Sequence, residues 1–339
     1  MSEIAITMDI NNRSYDEFLH NNSYSNVFQT REMAQVYSKN KAVDSFMIAA
    51  INEDTGDIVA SLLAKVLDEK TGFMGSFSRH STIRGGPIYD SNQGLDAVPL
   101  LLNEYNQIAN NKKVLYSRIY PLENTIDAFP IYEKCSYIPE TWNNFIINLN
   151  KSKDELWGSI SKSKRRCVNK AKKQKLIFRE IENRNEVKVF YELVHQRYSL
   201  RNNPLEDISN FEAVYDILVP KGMAKFFFIE HDGKCIGTRL VLLYKNDIYA
   251  WYNGSDSEYL NYYPNDFAVW SVLEWGLENG FKRFDFGGGG NDTDVSSGWV
   301  QFKRLFGGDM VNYGRYTYVH NTLKLQFAKS AFSIYKKFL

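Results

Sequence analysis

Residues 227–241 read FFIEHDGKCIGTRLV, and residues 49–63 read AAINEDTGDIVASLL. Each is an apolar run, an acidic turn with one glycine and a second run rich in β-branched or apolar residues, the pattern of a β-hairpin. Working outward from the second copy, Ile248 to Ser255 reads as a strand, Phe267 to Asn279 as a helix closed by Gly280, and Phe281 to Phe286 as an alternating, half-buried strand. The first copy is followed by a glycine-proline turn at Arg84 to Asp90, a helix around residues 94–110 and a strand from Val114 to Tyr120. A helix precedes each hairpin. Thr30 caps one that runs through Tyr37, and Val187 to Tyr198 carries Phe190, Leu193, Val194 and Tyr198 on one face. The same order occurring twice predicts two copies of one α/β unit, joined near residue 150. A length of 339 residues also predicts two domains rather than one core.

The charge is balanced, with Lys+Arg 41 against Asp+Glu 40, so any electrostatic function must come from a local patch. Cys135, Cys167 and Cys235 are odd in number and scattered, which argues against a disulfide framework. The five histidines show no metal-binding spacing, so no metal site is expected. Met1-Ser2-Glu3-Ile4 opens no basic-then-apolar leader, and no apolar run approaches the ~20 residues of a membrane span. A cytoplasmic protein is the expectation.

Two stretches concentrate chemistry. Residues 281–308, FKRFDFGGGGNDTDVSSGWVQFKRLFGG, join a strand end, a glycine run and a returning apolar segment that carries Lys303 and Arg304. The glycines read mainly as a turn, since neither a phosphate-cradling loop nor a dinucleotide fingerprint is present. A cation fixed among aromatic and glycine neighbours can stabilise an oxyanion in acyl transfer, while an edge-strand lysine that blocks aggregation is the plainer alternative. Residues 161–175, SKSKRRCVNKAKKQK, hold eight cations and no acid. Lys162, Lys164, Arg165, Arg166 and Lys170 would there face a polyanion, or else form a solvated helix face. Ser152 and Glu155 form a capping-box pattern upstream, with Leu156, Trp157 and Ile160 on the buried side. No nucleophile elbow exists, so acyl transfer would proceed by direct attack of an acceptor amine. Asp90, Asp285 and Glu230 are the candidate proton acceptors.

With these segments in order, the chain resembles the Fem-type (FemABX) peptidyltransferases and their GNAT-like N-acyltransferase relatives. The resemblance is carried by SISKSKRRCVNKAKK, VFYELVHQRYSLRNNP, YAWYNGSDSEYLNYYPNDFAVWSVLEWGLENGFKRFDFGG and FKRLFGG, and more faintly by FQTREMAQVY and RGGPIYD. It implies two tandem GNAT-like domains of α/β (α+β) class, each a mixed, mostly antiparallel sheet flanked by helices. It also implies a role for Lys303 in holding the tetrahedral oxyanion, for Arg201 at the diphosphate of a nucleotide-linked acceptor, and for Tyr252 in lining the acceptor groove. Trp251 and Arg304 are their substrate-facing neighbours, and Asp90 ends the motif once considered a base position. The chain departs from the family at Met33 and Tyr37, where a Trp followed by a Lys is usual. It departs again at Tyr263 to Ala268, which lacks the glycines of an acetyl-CoA loop.

The expected domains are 1–150, 151–320 and a C-terminal amphipathic helix at 321–339. The expected function is an N-acyltransferase or aminoacyltransferase forming an amide on an amine of a cell-envelope, peptidoglycan-like or polysaccharide precursor. No cofactor is expected, the acyl donor being a co-substrate, either aminoacyl-tRNA or acyl-CoA. The alternatives are an acyl-CoA-dependent GNAT-type enzyme and a non-catalytic polyanion-binding module. DNA is not an expected partner. Peripheral contact with the inner face of the membrane, through the C-terminal helix, is the minority reading.

Overall fold

The structure is a computed structural model that describes residues 3–67, 78–201, 203–294 and 296–326. The chain divides into two compact units, residues 1–141 with 313–339, and residues 142–312. The boundary expected after residue 150 therefore falls earlier, and the one expected at 320 falls at 312.

In the first unit, β1 (Ile4–Thr7), α1 (Asn12–Asn21) and α2 (Arg31–Lys39) precede the hairpin of β2 (Val43–Asn52) and β3 (Ile58–Leu67). Thr30 caps α2 by accepting from the Met33 amide at 3.2 Å, as its position before the apolar run predicts. Then come β4 (His80–Arg84), β5 (Ile88–Tyr89), α3 (Val98–Asn111), β6 (Tyr116–Tyr120), α4 (Phe129–Lys134) and β7 (Ile138–Glu140).

The second unit begins with β8 (Asn143–Asn148), α5 (Lys153–Ser159), α6 (Lys162–Lys173) and β9 (Ile177–Glu180). It continues with α7 (Glu186–Ser199), α8 (Ile208–Ile217), β10 (Ala224–His231), β11 (Lys234–Tyr244), β12 (Asp247–Ser255) and α9 (Pro264–Glu278). It closes with β13 (Arg283–Gly290), α10 (Gly298–Arg304) and β14 (Asp309–Asn312), after which β15 (Arg315–Val319) returns to the first unit. Of the expected C-terminal helix only its first residues, to Gln326, are described, and the rest lies outside the described residues.

The sheet of the first unit runs β1-β2-β3-β4-β6-β15-β7, and that of the second β14-β8-β13-β12-β11-β10-β9. The repeat is legible in the registers: Ala49 faces Ser61 across the first hairpin as Phe227 faces Arg239 across the second. In each unit the strand after the hairpin crosses through a helix to a parallel neighbour, β4 to β6 through α3 and β12 to β13 through α9. These parallel seams differ. β4 and β6 pair along five residues, and the Gly85 amide donates to the Tyr120 carbonyl at 2.8 Å beyond them. β12 and β13 pair only over Asp247–Tyr249 with Arg283–Asp285 and then part. A parted seam leaves strand-end backbone and side chains open to a ligand, and only the second unit has one among the described residues.

Layers of apolar side chains cover both faces of the second sheet. Phe145, Phe227, Val241, Ile248, Trp270, Phe284, Phe286 and Phe306 form one core with α5, α6, α9 and α10. Phe190 and Phe211 of α7 and α8 pack with Phe226 on the other face. No described helix is long and apolar enough to cross a membrane.

Candidate active site at the parted seam

The glycine run is strand rather than turn: Gly287 to Gly290 all lie within β13, with Gly287 at φ +74° and Gly290 at φ +74°. That left-handed backbone is where a Cβ would be strained, and it kinks the strand away from β12. The kink turns three successive carbonyls toward one point. The returning segment, read above as a possible edge strand, is the helix α10. Val300 is buried and Lys303 follows three positions on, so both lie on the face turned to β13. Phe302 and Phe306 pack against Phe286 at ring separations of 6.3 and 6.0 Å. The Ser161 amide donates to the Leu305 carbonyl at 3.0 Å and holds the end of α10 to the start of α6.

Lys303 Nζ donates to the carbonyl oxygens of Phe286, Gly287 and Gly288, each at 2.8 Å. An ammonium has three N–H groups, so this cradle fixes the charge in place without neutralising it. The half-exposed Trp299 ring stands 5.6 Å from the same nitrogen, and the Phe286 ring also stands 5.6 Å away. Asp285, 2% exposed, braces the strand: its Oδ1 accepts from the Gly287 amide at 2.7 Å and from Asn144 Nδ2 at 2.8 Å. A positive charge held beside parted strands, next to an aromatic wall, suits a developing oxyanion. A full negative charge would outcompete one of the three neutral carbonyls for a donor.

The other expected site residues are distributed more widely. Tyr252 turns its ring to α7 and α8, meeting Phe211 edge-on at 4.8 Å and Tyr198 at 5.8 Å, and its hydroxyl donates to Glu206 at 3.4 Å. Trp251 occupies the bulge in the β11–β12 ladder, 5.1 Å from the Tyr252 ring. Arg201 is exposed just beyond α7, and Arg304 is exposed at the end of α10. Asp90 is in the other unit, where its Oδ1 accepts from the Asn92 and Gln93 amides at 2.9 and 3.1 Å and so shapes a turn. Glu230 pairs with Arg179 at 2.7 Å. Glu230 is not brought beside Lys303 by any described contact.

The basic stretch forms α6, capped by Ser161, while α5 upstream carries the capping box of Ser152 and Glu155. Lys162, Arg165, Arg166, Asn169, Lys170 and Lys173 line an open groove of about 490 Å³ with Trp157 at its side. Lys164 departs from the polyanion expectation. It faces inward, paired with Asp266 of α9 at 2.7 Å and lying 3.9 Å from the Phe302 ring centroid. Its position four residues before the buried Val168 puts it on the packed face of the helix. Lys170 reaches the Tyr263 hydroxyl at 3.4 Å. No group of His, Cys, Asp and Glu placed to hold a metal occurs among the described residues.

An acetyltransferase (GNAT) domain profile matches residues 158–304, which lie wholly within the unit that carries the parted seam. Over 86% of this chain and 88% of the relative, the sequence is 23% identical to the UDP-N-acetylmuramoylpentapeptide-lysine N(6)-alanyltransferase of Weissella viridescens. A 96-residue stretch, 27% of this chain and 23% of the relative, is 30% identical to the Lipid II:glycine glycyltransferase of Staphylococcus epidermidis. The solved structure of FemX superposes with a TM-score of 0.73 over 96% of this chain and 99% of that one, at 19% identity. This chain has a GNAT-like fold and is similar to Fem-type aminoacyltransferases. The GNAT profile match, the parted seam and Lys303 coincide in the second unit.

Sequence reasoning passed over one polar feature of the second unit. Arg239, the single charge within the run Ile236 to Leu243 of β11, is 4% exposed. Its Nη2 donates to Asn265 Oδ1 at 3.1 Å, an oxygen that also accepts from Asn253 Nδ2 at 3.0 Å, and its Nε has no partner. Burial, and then the nearby Arg197, push its pKa down to about 9, so it remains a cation at neutral pH. Arg197 is lowered in turn by burial and by Arg201. Gly237 makes room for this arrangement, since a Cβ there would stand 3.0 Å from Pro264 Cβ at the start of α9. The lone charge in an apolar strand was the available signal.

Proposed function

We propose that the second unit catalyses acyl transfer to an amine of a cell-envelope precursor, with Lys303 holding the oxyanion. The observation that carries this reading is the Lys303 ammonium, fixed by three carbonyls of a kinked glycine strand where β12 and β13 part. The named relatives act on a muramoylpentapeptide lysine and on lipid II, and that chemistry supports an amine-bearing peptidoglycan-like precursor as acceptor.

In the proposed reaction the neutral acceptor amine attacks the acyl carbonyl carbon directly. A C–N bond forms, the carbonyl oxygen takes up the negative charge and Lys303 donates to it. Collapse of the tetrahedral species breaks the bond to the donor oxygen or sulfur, and the proton lost by nitrogen ends on that leaving group. Trp299 and Phe286 wall the site and limit water, which strengthens the charge–charge interaction. Asp285 orients the glycine strand and acts as a positioning residue.

Aminoacyl-tRNA is the favoured donor. The groove of α6, with five cations beside Trp157, offers phosphate contacts and an aromatic face to a nucleic-acid end. Such a donor places the reaction in the cytoplasm, and contact with a membrane-borne acceptor would be peripheral. Acyl-CoA is the second reading, favoured by one observation: the N-terminus of α9 has no side-chain cap. Incubating the chain with charged tRNA, acyl-CoA and candidate amines, and following the amide by mass spectrometry, tests both. Product from charged tRNA is expected; product from acyl-CoA alone selects the second reading, and no amide from either donor sinks the function.

A further inference from the structure

A buried arginine with neutral partners needs an explanation, because taking an ion out of water is costly unless an opposite charge meets it. Arg239 Nη2 donates to the neutral Asn265, and its buried Nε has no partner among the described residues. The charge that acts on it is a second cation, Arg197. The hairpin itself does not require a cation here. At the equivalent register position of the first hairpin stands Ser61, a small neutral residue, fully buried. The location is informative as well: the Arg239 guanidinium lies 5.9 Å from the centre of the Phe286 ring, and Lys303 Nζ lies 5.6 Å from the same ring.

We infer that Arg239, with Asn253 and Asn265, seats an oxyanion group, a carboxylate or a phosphate, carried by a substrate whose reacting carbonyl lies at Lys303. The inference rests on the reading of Lys303 as the reaction centre. A planar guanidinium fork matches both anions in a bidentate way, and the two asparagine side chains add neutral hydrogen-bonding groups around it. Both cations lie near the Phe286 ring, at 5.9 and 5.6 Å, so one substrate can meet Lys303 with its reacting carbonyl and Arg239 with its anionic group. Arg239 is then a specificity-determining residue, selecting substrates that carry such a group.

The test uses the full chain as wild type, Arg239→Met and Arg239→Lys. Thermal unfolding is followed with succinate, inorganic phosphate or pyrophosphate, each against chloride at matched ionic strength. The wild type is expected to show a saturable rise in Tm with at least one anion, Arg239→Lys a weaker one and Arg239→Met none. A response to succinate identifies a carboxylate; a response confined to phosphate or pyrophosphate identifies a phosphoryl group. Without anion, Arg239→Met is expected to melt at or above the wild type, since an unpaired buried charge has been replaced by an apolar chain. Equal responses in wild type and Arg239→Met, or a much lower melting point of Arg239→Met without anion, would overturn the inference. Lys303→Ala separates the two claims. It should keep the anion response, so loss of turnover with the response intact leaves Arg239 in place, while normal KM in Arg239→Met removes Arg239 and leaves Lys303.

Discussion

Among single residues, Lys303 and His320 show how burial and hydrogen bonding set what a charge can do. Lys303 organises three backbone carbonyls as well as offering a charge. Removing its side chain therefore has two expected effects, a loss of turnover and a stability cost of about 1–3 kcal/mol from carbonyls left without a donor. Chemical denaturation of Lys303→Ala measures the second separately from the first. His320 belongs to a different network. Tyr105 donates to Ser117 at 2.7 Å, Ser117 meets His320 Nε2 at 2.7 Å, and His320 Nδ1 lies 3.1 Å from Asn110 Oδ1. Burial lowers the His320 pKa to about 4, below its ordinary value of 6.5. The unfolded chain thus binds the proton more readily, so stability is full above pH 6.5 and falls as pH drops from there toward 4. The slope should approach, at most, about 1.4 kcal/mol per pH unit, less where solvent reaches the ring. His320→Gln, followed by denaturant melts across that window, is expected to flatten the dependence; an unchanged slope would assign it elsewhere.

At the scale of elements, α6 and β13 were each half legible. The basic composition of α6 was plain in the sequence, but which of its cations face water depends on where Asp266 of α9 lies, and that is a tertiary fact. Two substitutions separate the faces. Lys164→Ala leaves the buried Asp266 without its partner, and a loss of roughly 2–4 kcal/mol is expected in equilibrium unfolding. Arg166→Ala on the exposed face should change stability by less than about 0.5 kcal/mol. It should instead weaken tRNA binding and lower the salt slope by about one. In β13 the glycines read as a break because Gly is poor in strands, yet β8 supplies a ladder that keeps them extended. Placing Lys303 on a helix needed information the local sequence lacks, since Trp299-Val300-Gln301-Phe302 fits either period. Gly287→Ala puts a Cβ at φ +74° and should cost ~1–2 kcal/mol. It should also lower turnover, by shifting the carbonyls that hold Lys303.

For the whole molecule, the duplicated α/β order was readable because hairpins and crossover helices are local patterns, and the clearer motifs of the Fem-type resemblance lie in the second unit while the fainter ones lie in the first. The exact division was not readable, because it depends on strands that pair far along the chain. β8 inserts between β13 and β14, and β15 joins β6 and β7 only after the second unit is complete. A fragment spanning 142–312 should therefore melt cooperatively, whereas one spanning 151–320 lacks β8, splits its sheet and should aggregate through exposed edges. The two parallel seams differ between the units: closed between β4 and β6, parted between β12 and β13. The central claim is that the parted seam is an acyl-transfer site with Lys303 at its centre. Its most direct test is the rate of amide formation from charged tRNA by wild type and by Lys303→Ala, with folding of the variant checked by its melt. A fall of about 10²–10³-fold in kcat is expected; a folded variant within about threefold of wild type would contradict it.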